Sequence, residues 1–312
     1  MKRSRMILTS LALAATAAPL PARAQAKDKL NVAFPIVDPT AEVLYAAEMG
    51  FFERAGLDVT LTPLSNGAAI AAGVASGAID IGIGNVLSIE AAYKKGIPLT
   101  VIAPAAINVD SAPSNVLLVA KNSPLKTARD LNGKVVGINP LKGIGELMAS
   151  AWIDKNGGDS TTVKFIEVNF QQSEGVLAQG RADASTGVEP FITLSKATTR
   201  VFANTYAVLG ENYLITAFFA ALPWAQAHAD VVARFAAAIR QTADWANKNQ
   251  SKSAEILSKY AKLDADVVKQ TIRAVYATTL TPAQLQPTID GAARYKLLDA
   301  PFRAQELIFR ST

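Results

Sequence analysis

The sequence contains an internal repeat in which the same order of strand and helix patterns occurs twice. Residues 74–80 (VASGAID) are matched by residues 177–183 (LAQGRAD), and in both copies a helical pattern ends at glycine before an aspartate opens a strand. Three further elements correspond in the same order: strands 30–34 and 135–138, helices 41–54 and 145–155, and strands 57–61 and 163–168. Strands joined by helices of this length pair in parallel. The sequence therefore predicts an α/β fold of two lobes, each a mainly parallel sheet flanked by helices.

Two irregular stretches mark where we expect the chain to cross between these lobes. The first, 104–114, is rich in proline, asparagine, aspartate and serine, and the second lies around 210–212. We therefore expect residues 25–111 plus 212–312 to form the first lobe and residues 112–211 the second. The apolar stripes of the later helical stretches are interpreted as core.

The first 24 residues have the pattern of an export signal peptide. A basic start at 2–5 precedes an apolar run that ends before Pro19, and Ala22 and Ala24 supply the small residues that a signal peptidase recognises. The run is too short to be a permanent membrane span. We expect cleavage after Ala24, with Ala26 as an alternative, and a periplasmic mature protein.

Composition excludes several kinds of chemistry. The chain has no cysteine and a single histidine, His228. Thiol catalysis, disulfides and cysteine-based metal sites are thereby excluded, and we expect neither a metal site nor a cofactor. The formal charge of +5 arises mostly from the first 24 residues, since the remainder carries 27 basic and 26 acidic side chains. A nearly neutral mature chain gives no support to a nucleic-acid partner.

Ligands of open parallel sheets bind beyond the carboxyl ends of the strands, where loops lead into helix starts. Applied to both lobes, this rule selects loops that would face each other across one cleft. We expect the ligand-binding residues to be Asp38, Thr40, Asn66, Gly67, Asn85, Lys142, Gly143, Ile144, Glu189 and Tyr213.

The character of these loops indicates a ligand class. Helix starts present free N–H groups and a positive dipole end, and Lys142 adds a full charge, so a small organic anion such as a sulfonate or carboxylate is favoured. Aromatic residues could give the cleft an apolar wall and accommodate an aromatic acid. Asp38 and Glu189 are either structural or accept N–H groups of the ligand, and Asn66 and Asn85 have helix capping as an alternative role. For Lys142 the alternative is a solvated surface lysine.

Several motifs together resemble a known family. They are AAEMGFFERAGLDV at 46–59, ASGAIDIG at 75–82, LLVAKNSP at 117–124, DLNGKVVG at 130–137, GVEPF at 187–191 and YKLLD at 295–299. The chain resembles periplasmic solute-binding proteins of ABC importers, in the nitrate, sulfonate and taurine group that also includes binders of thiamine pyrimidine precursors. The resemblance implies the type II periplasmic-binding-protein fold, a lobe closure on the ligand, and delivery to an ABC permease in the inner membrane by a monomer.

The resemblance also leaves alternatives open. A neutral pyrimidine-type thiamine precursor is the second ligand class, with Asp38 or Glu189 accepting its N–H groups. The hydroxyl of the family's Gly-Ser-Gly-type loop is missing at 140–145, where Lys142 stands, so the ligand identity of family members does not carry over directly. Some relatives of this fold are enzymes, a pyrimidine-precursor synthase and a sulfinate-cleaving hydrolase. Their chemistry calls for cysteine or a reactive histidine, and His228 lies far from the expected cleft loops. We therefore predict a binding protein rather than an enzyme, with a ligand-sensing receptor as a further alternative.

Overall fold

The computed structural model describes residues 27–65 and 67–310, so the expected signal peptide and Asn66 lie outside the described residues. The strands are β1 (Asp28–Phe34), β2 (Leu57–Pro63), β3 (Ile81–Asn85), β4 (Leu99–Pro104), β5 (Ala106–Ile107), β6 (Asn115–Ala120), β7 (Val135–Ile138), β8 (Lys164–Glu167), β9 (Ala184–Val188), β10 (Thr199–Ala203), β11 (Thr216–Ala221) and β12 (Val275–Tyr276).

Helices connect most of these strands and cover their faces. They are α1 (Glu42–Glu48), α2 (Phe51–Arg54), α3 (Gly67–Ser76), α4 (Val86–Lys94), α5 (Ile144–Lys155), α6 (Ser173–Ala178), α7 (Phe191–Leu194), α8 (Leu222–Ala227), α9 (Ala229–Lys248), α10 (Gln250–Ala261), α11 (Ala265–Val268) and α12 (Pro282–Arg294). Short 3-10 turns at Asp38–Thr40 and Thr205–Leu209 lie close to the cleft described below.

Two five-stranded sheets form the centre of the molecule. The first has the order β2-β1-β3-β11-β4 and the second the order β10-β6-β9-β7-β8. In the first sheet only β11 runs against the other strands, and in the second only β6 does so. Read from its other edge, the second sheet has the order β8-β7-β9-β6-β10. Each of these strands corresponds to the strand at the same place in the first sheet. The expected α/β fold with mainly parallel sheets is confirmed, and the repeat in the sequence corresponds to this repeated order. We call each sheet with its flanking helices a lobe.

Apolar side chains fill both faces of each sheet. One cluster of the first lobe extends to the second: Ile144, Leu147 and Met148 of α5 pack in the same core as Leu285 and Ile289 of α12. This apolar seam joins the lobes on one side of the cleft.

The structure corrects one predicted element. The pattern at 41–54 predicts a single helix, but the helix is interrupted between α1 and α2, where Gly50 has a left-handed backbone with φ of 70°. Glycine adopts this conformation at little cost, so it can interrupt the helix. The apolar spacing continues across the interruption and therefore does not reveal it. Among the described residues no helix is both long and apolar enough to cross a bilayer.

Candidate ligand-binding cleft

The carboxyl ends of the parallel strands of both sheets open onto one cleft between the lobes. Its cavity has a volume of about 70 Å³, more than the ~10–15 Å³ that one water molecule needs. The lining residues are Pro35, Val37, Pro39, Thr40, Ser65, Gly67, Gly84, Asn85, Asn115, Asn139, Pro140, Ile144, Phe170, Val188, Tyr206, Ile215 and Thr216.

Three expected site residues of the first lobe line this cavity. Asn85 caps α4: its Oδ1 accepts the backbone N–H of Ser88 at 2.9 Å, and its Nδ2 donates to Ser88 Oγ at 2.9 Å. A side-chain amide has two N–H donors, so one of them is free of this contact. Thr40 donates its hydroxyl to the carbonyl oxygen of Val37 and thereby fixes the loop after β1. Gly67 begins α3 and leaves the backbone open to the cavity.

The second lobe contributes the start of α5. Ile144 is the first residue of this helix and lines the cavity, whereas Gly143 and Lys142 do not. A Cβ on Gly143 would lie 2.9 Å from the carbonyl oxygen of Pro140, so glycine permits the close turn that aims the helix start at the cleft. Lys142 has a left-handed backbone, its N–H donates to Glu146 Oε2 at 2.7 Å, and the residue is exposed.

Asp38 is fully buried, and its carboxylate is turned away from the cavity. Oδ1 lies 2.7 Å from Arg273 Nη2, and Oδ2 accepts the backbone N–H of Ala274 at 2.5 Å. Burial raises the pKa of Asp38 above its usual value, and the positive charge of Arg273 opposes that rise. The carboxylate is therefore committed to a contact within the first lobe.

Glu189 is also buried and absent from the lining. Its Oε2 accepts the backbone N–H of Thr193 at 3.1 Å, and its Oε1 accepts the Thr193 hydroxyl at 2.9 Å and the backbone N–H of Ile272 at 3.3 Å. Burial raises the pKa of Glu189, and these hydrogen bonds work against the rise. The carboxylate thus joins the second lobe to the first instead of facing the cavity.

Tyr213 lies behind the cavity wall. Its hydroxyl donates to the backbone carbonyl of Tyr206 at 2.7 Å, and its ring is 1% exposed. It is Tyr206 that lines the cavity, together with Phe170. The Tyr213 hydroxyl therefore fixes the backbone position of Tyr206.

Asn115 and Thr216 also line the cavity, although the rule that ligands bind beyond the carboxyl ends of parallel strands does not select them. Each is the first residue of the one antiparallel strand in its sheet, β6 and β11. The start of an antiparallel strand lies at the same sheet edge as the ends of its parallel neighbours, so Asn115 pairs with Val188 and Thr216 with Asn85. Knowledge of the strand directions would have identified both positions.

The cavity as a whole offers hydrogen bonds without a formal charge. None of the described lining residues is Lys, Arg, His, Asp or Glu, and the polar ones are the amides and hydroxyls of Thr40, Ser65, Asn85, Asn115, Asn139, Tyr206 and Thr216. The described residues also contain no group of His, Cys, Asp and Glu side chains arranged to hold a metal ion. The arrangement suits recognition of a small polar molecule by donors and acceptors placed on an apolar wall.

Two mixed sheets of repeated order around a central cleft define the periplasmic-binding-protein fold. The chain belongs to the NMT1/THI5-like family, whose model matches residues 39–253. It is 28% identical over 145 residues to the formylaminopyrimidine-binding protein of Halalkalibacterium halodurans, which covers 46% of this chain and 42% of that protein. The chain spans half or less of the length of the curated relatives that it matches.

Solved structures share the fold over most of the chain. The alkanesulfonate-binding protein SsuA of Xanthomonas axonopodis pv. citri, bound to MOPS, superposes with a TM-score of 0.77 at 18% identity, covering 91% of this chain and 98% of SsuA. The nitrate-binding protein NrtA of Synechocystis PCC 6803 gives a TM-score of 0.78 at 15% identity, covering 90% of this chain and 84% of NrtA. The similar structures include other binding components of import systems and one desulfurization enzyme.

Proposed function

We propose that this chain is the extracytoplasmic solute-binding subunit of an ABC importer and that it binds a small neutral ligand of the aminopyrimidine class in the cleft. The observation that carries the ligand class is the uncharged lining, in which asparagine amides and hydroxyls are the polar groups. The family and the formylaminopyrimidine-binding relative support the same class.

Desolvation is the physical reason for preferring a neutral ligand. A charged ligand that leaves water for a closed cavity loses its hydration, and this loss is large unless a counter-charge compensates. A neutral heteroaromatic ring loses much less, and its ring nitrogens and amino groups match the donors and acceptors of amide side chains. Phe170 and Tyr206 offer aromatic surface for such a ring.

A small organic anion is the second candidate, and one observation favours it. The starts of α3, α4 and α5 lie at the cavity, at Gly67, Asn85 and Ile144. Each helix start contributes ~0.3–1 kcal/mol to the binding of a negative charge, and more where water is excluded. Sulfonate and nitrate binders share the fold.

The architecture supports delivery by lobe movement. We propose the lobe limits 25–111 plus 212–312 and 112–211, because the two crossing segments pair where Asn108 donates to the Tyr213 carbonyl and accepts from the Asn212 N–H, both at 2.9 Å. Chain crossings of this kind act as hinges. Export to the periplasm, the inner-membrane permease as partner and the monomeric state are parts of the same proposal.

The variant Asn85→Asp separates the two ligand classes. Aspartate caps a helix as well as asparagine does, so the fold should persist, but the cavity gains a carboxylate. Calorimetric titrations with aminopyrimidines, alkanesulfonates and nitrate would measure affinity for the wild type and the variant. We expect an aminopyrimidine to bind the wild type, whereas an anionic ligand would lose at least roughly tenfold in affinity in the variant through like-charge repulsion.

A matched control is Asn132→Asp. Asn132 is exposed, and its Oδ1 accepts the backbone N–H of Asp159, a contact that aspartate retains. This control should bind every ligand like the wild type. Binding of an alkanesulfonate or nitrate but no pyrimidine by the wild type, with loss only in Asn85→Asp, would overturn the neutral class in favour of the anion. Binding of neither class would contradict both.

A further inference from the structure

The two lobes also meet through polar contacts outside the cleft lining. The Glu189 carboxylate of the second lobe accepts the backbone N–H of Ile272 in the first lobe at 3.3 Å, and the Glu189 carbonyl accepts the backbone N–H of Asp38 at 2.9 Å. Nearby, Lys196 Nζ donates to Gln270 Oε1 at 2.7 Å. Two of these contacts join the residues flanking α7 to the segment that follows α11, and the third joins Glu189 to the 3-10 turn at Asp38–Thr40.

The Glu189 side chain is held ready for this contact by its own lobe. Thr193 contributes both its backbone N–H and its hydroxyl to the carboxylate, so the Glu189 side chain is held against the first turn of α7. The residue is only 1% exposed. A carboxylate at such depth is stabilised by each donor that reaches it, and one of the donors belongs to the other lobe.

The first lobe fixes the opposite side of the contact. Arg273 and Ala274 follow Ile272, and both are bound by the Asp38 carboxylate, at 2.7 Å and 2.5 Å. Arg273 also donates to the hydroxyl of Tyr45. The backbone at Ile272 is therefore positioned by an internal ion pair that is itself buried.

We propose that Glu189, Lys196, Gln270 and the backbone N–H of Ile272 form an interlobe clasp that stabilises the closed arrangement of the lobes independently of the ligand. Glu189 and the Asp38–Arg273 pair are positioning residues, since none of them lines the cavity. The clasp lies among α7, the 3-10 turn at Asp38 and the segment after α11, whereas the apolar seam joins α5 to α12. Breaking polar contacts exposes groups that water can bind, so we infer that the lobes separate at the clasp and pivot at the chain crossings. The crossings lie beside the apolar seam, since Ile107 and Leu209 pack against the same cluster. The inference rests on the proposed function in treating the lobes as moving bodies.

Distances between spin labels test the clasp without any ligand. The chain has no cysteine, so Ala75→Cys and Ala178→Cys, at exposed repeat-related positions of α3 and α6, provide unique labelling sites. Pulsed electron paramagnetic resonance would measure the distance distribution in the ligand-free protein. We expect a short-distance population that shrinks in Glu189→Ala, with the closed-to-open ratio falling roughly 10- to 150-fold, as for loss of a hydrogen bond to a charged group.

Two further variants separate the clasp from a general structural effect. Gln270→Ala removes an exposed contact and should lower the same ratio roughly 2- to 10-fold while leaving the melting temperature nearly unchanged. The matched control is Glu174→Gln, because the Glu174 carboxylate accepts from Thr198 within the second lobe alone. It should keep the wild-type distances.

Two results would overturn the clasp. In the first, the distance distribution is the same in wild type, Glu189→Ala and Gln270→Ala. In the second, the wild type populates only the long distance. Failure of the proposed function is a separate result. A protein that binds neither ligand class but shows the variant-dependent distances has a clasp and a different role.

Discussion

Glu90→Gln should change how the stability of this protein depends on pH. Glu90 lies on α4, the helix that begins at the cleft, and its residue is 0% exposed. Its Oε1 accepts the hydroxyl of Thr288 at 2.6 Å, and its Oε2 has no hydrogen-bond partner among the described residues. Burial raises the pKa of Glu90 from 4.5 to about 8, with the charge of Asp290 adding to the rise and the Thr288 hydroxyl opposing it.

The sign of the effect follows from proton linkage. Between pH 4.5 and 8 the folded state holds a proton on Glu90 that the unfolded state has released, so stability falls as pH rises through this interval. The loss is about 1.4 kcal/mol per pH unit within the interval, or roughly 3–4 kcal/mol between pH 5 and pH 8, and it levels off above pH 8. Glutamine mimics the protonated acid and carries no such cost.

Urea denaturation of wild type and Glu90→Gln at pH 5 to 9 would measure this difference. Glu42 and Glu189 are also buried with raised pKa values, but they contribute equally to both proteins, so the difference between the two curves isolates Glu90. We expect the free energy of unfolding of the variant, relative to the wild type, to rise by roughly 3–4 kcal/mol from pH 5 to pH 8. Curves that stay parallel within about 0.5 kcal/mol would refute the assignment of a neutral Glu90.

Three further outcomes follow from the structure. Gly82→Ala should lower the free energy of unfolding, measured by urea denaturation, by ~1–3 kcal/mol, because the new Cβ would lie 2.6 Å from the Phe219 ring. The control is Gly84→Ala, whose Cβ would have its nearest neighbour 3.8 Å away and should leave the stability unchanged. Arg273→Met should lower the free energy of unfolding in the same assay by ~3–5 kcal/mol, because it leaves the buried Asp38 carboxylate without its cation. A loss below about 1 kcal/mol would contradict the buried ion pair. Lys142→Ala should change ligand affinity, measured by calorimetry, less than about twofold, because the side chain is exposed. A loss of about tenfold would instead indicate that the Lys142 charge contacts the ligand.

Much of the fold could be predicted from the sequence because the repeat fixes the order of elements. Glycines such as Gly77 and Gly180 end helices in both copies with left-handed backbones, and strands follow them in the sequence and in the structure. The antiparallel direction of the fourth strand in each sheet, β11 and β6, could not be predicted from the sequence. An apolar strand such as β11 has the same pattern whether it runs with its neighbours or against them.

The site was less accessible to prediction because side-chain direction depends on distant partners. The loop after β1 was placed at the cleft, yet Asp38 turns away because Arg273, far along the chain, pairs with it. Lys142 follows the expected strand, but its left-handed backbone and the Glu146 contact set its position. The Arg273 partner of Asp38 cannot be recognised from spacing, since that contact arises only when the chain is folded.

In both lobes a side chain close to the end of the third strand accepts an N–H of the helix that follows, and these two side chains differ in type. In the first lobe Asn85 ends β3 and accepts an N–H of α4; in the second, Glu189 follows β9 and accepts an N–H of α7. The neutral cap lines the cavity, whereas the charged cap is directed to the other lobe. A carboxylate in the position of the first cap would oppose an anion, and a charged cap without its donor from the first lobe would be left buried and undersatisfied. In the repeat, where residues 74–80 match 177–183, Asn85 corresponds to Val188, and Glu189 stands one residue further along the chain. The division between a neutral cavity and a carboxylate at the interlobe contact therefore follows from this shift of one residue as well as from the change of side chain.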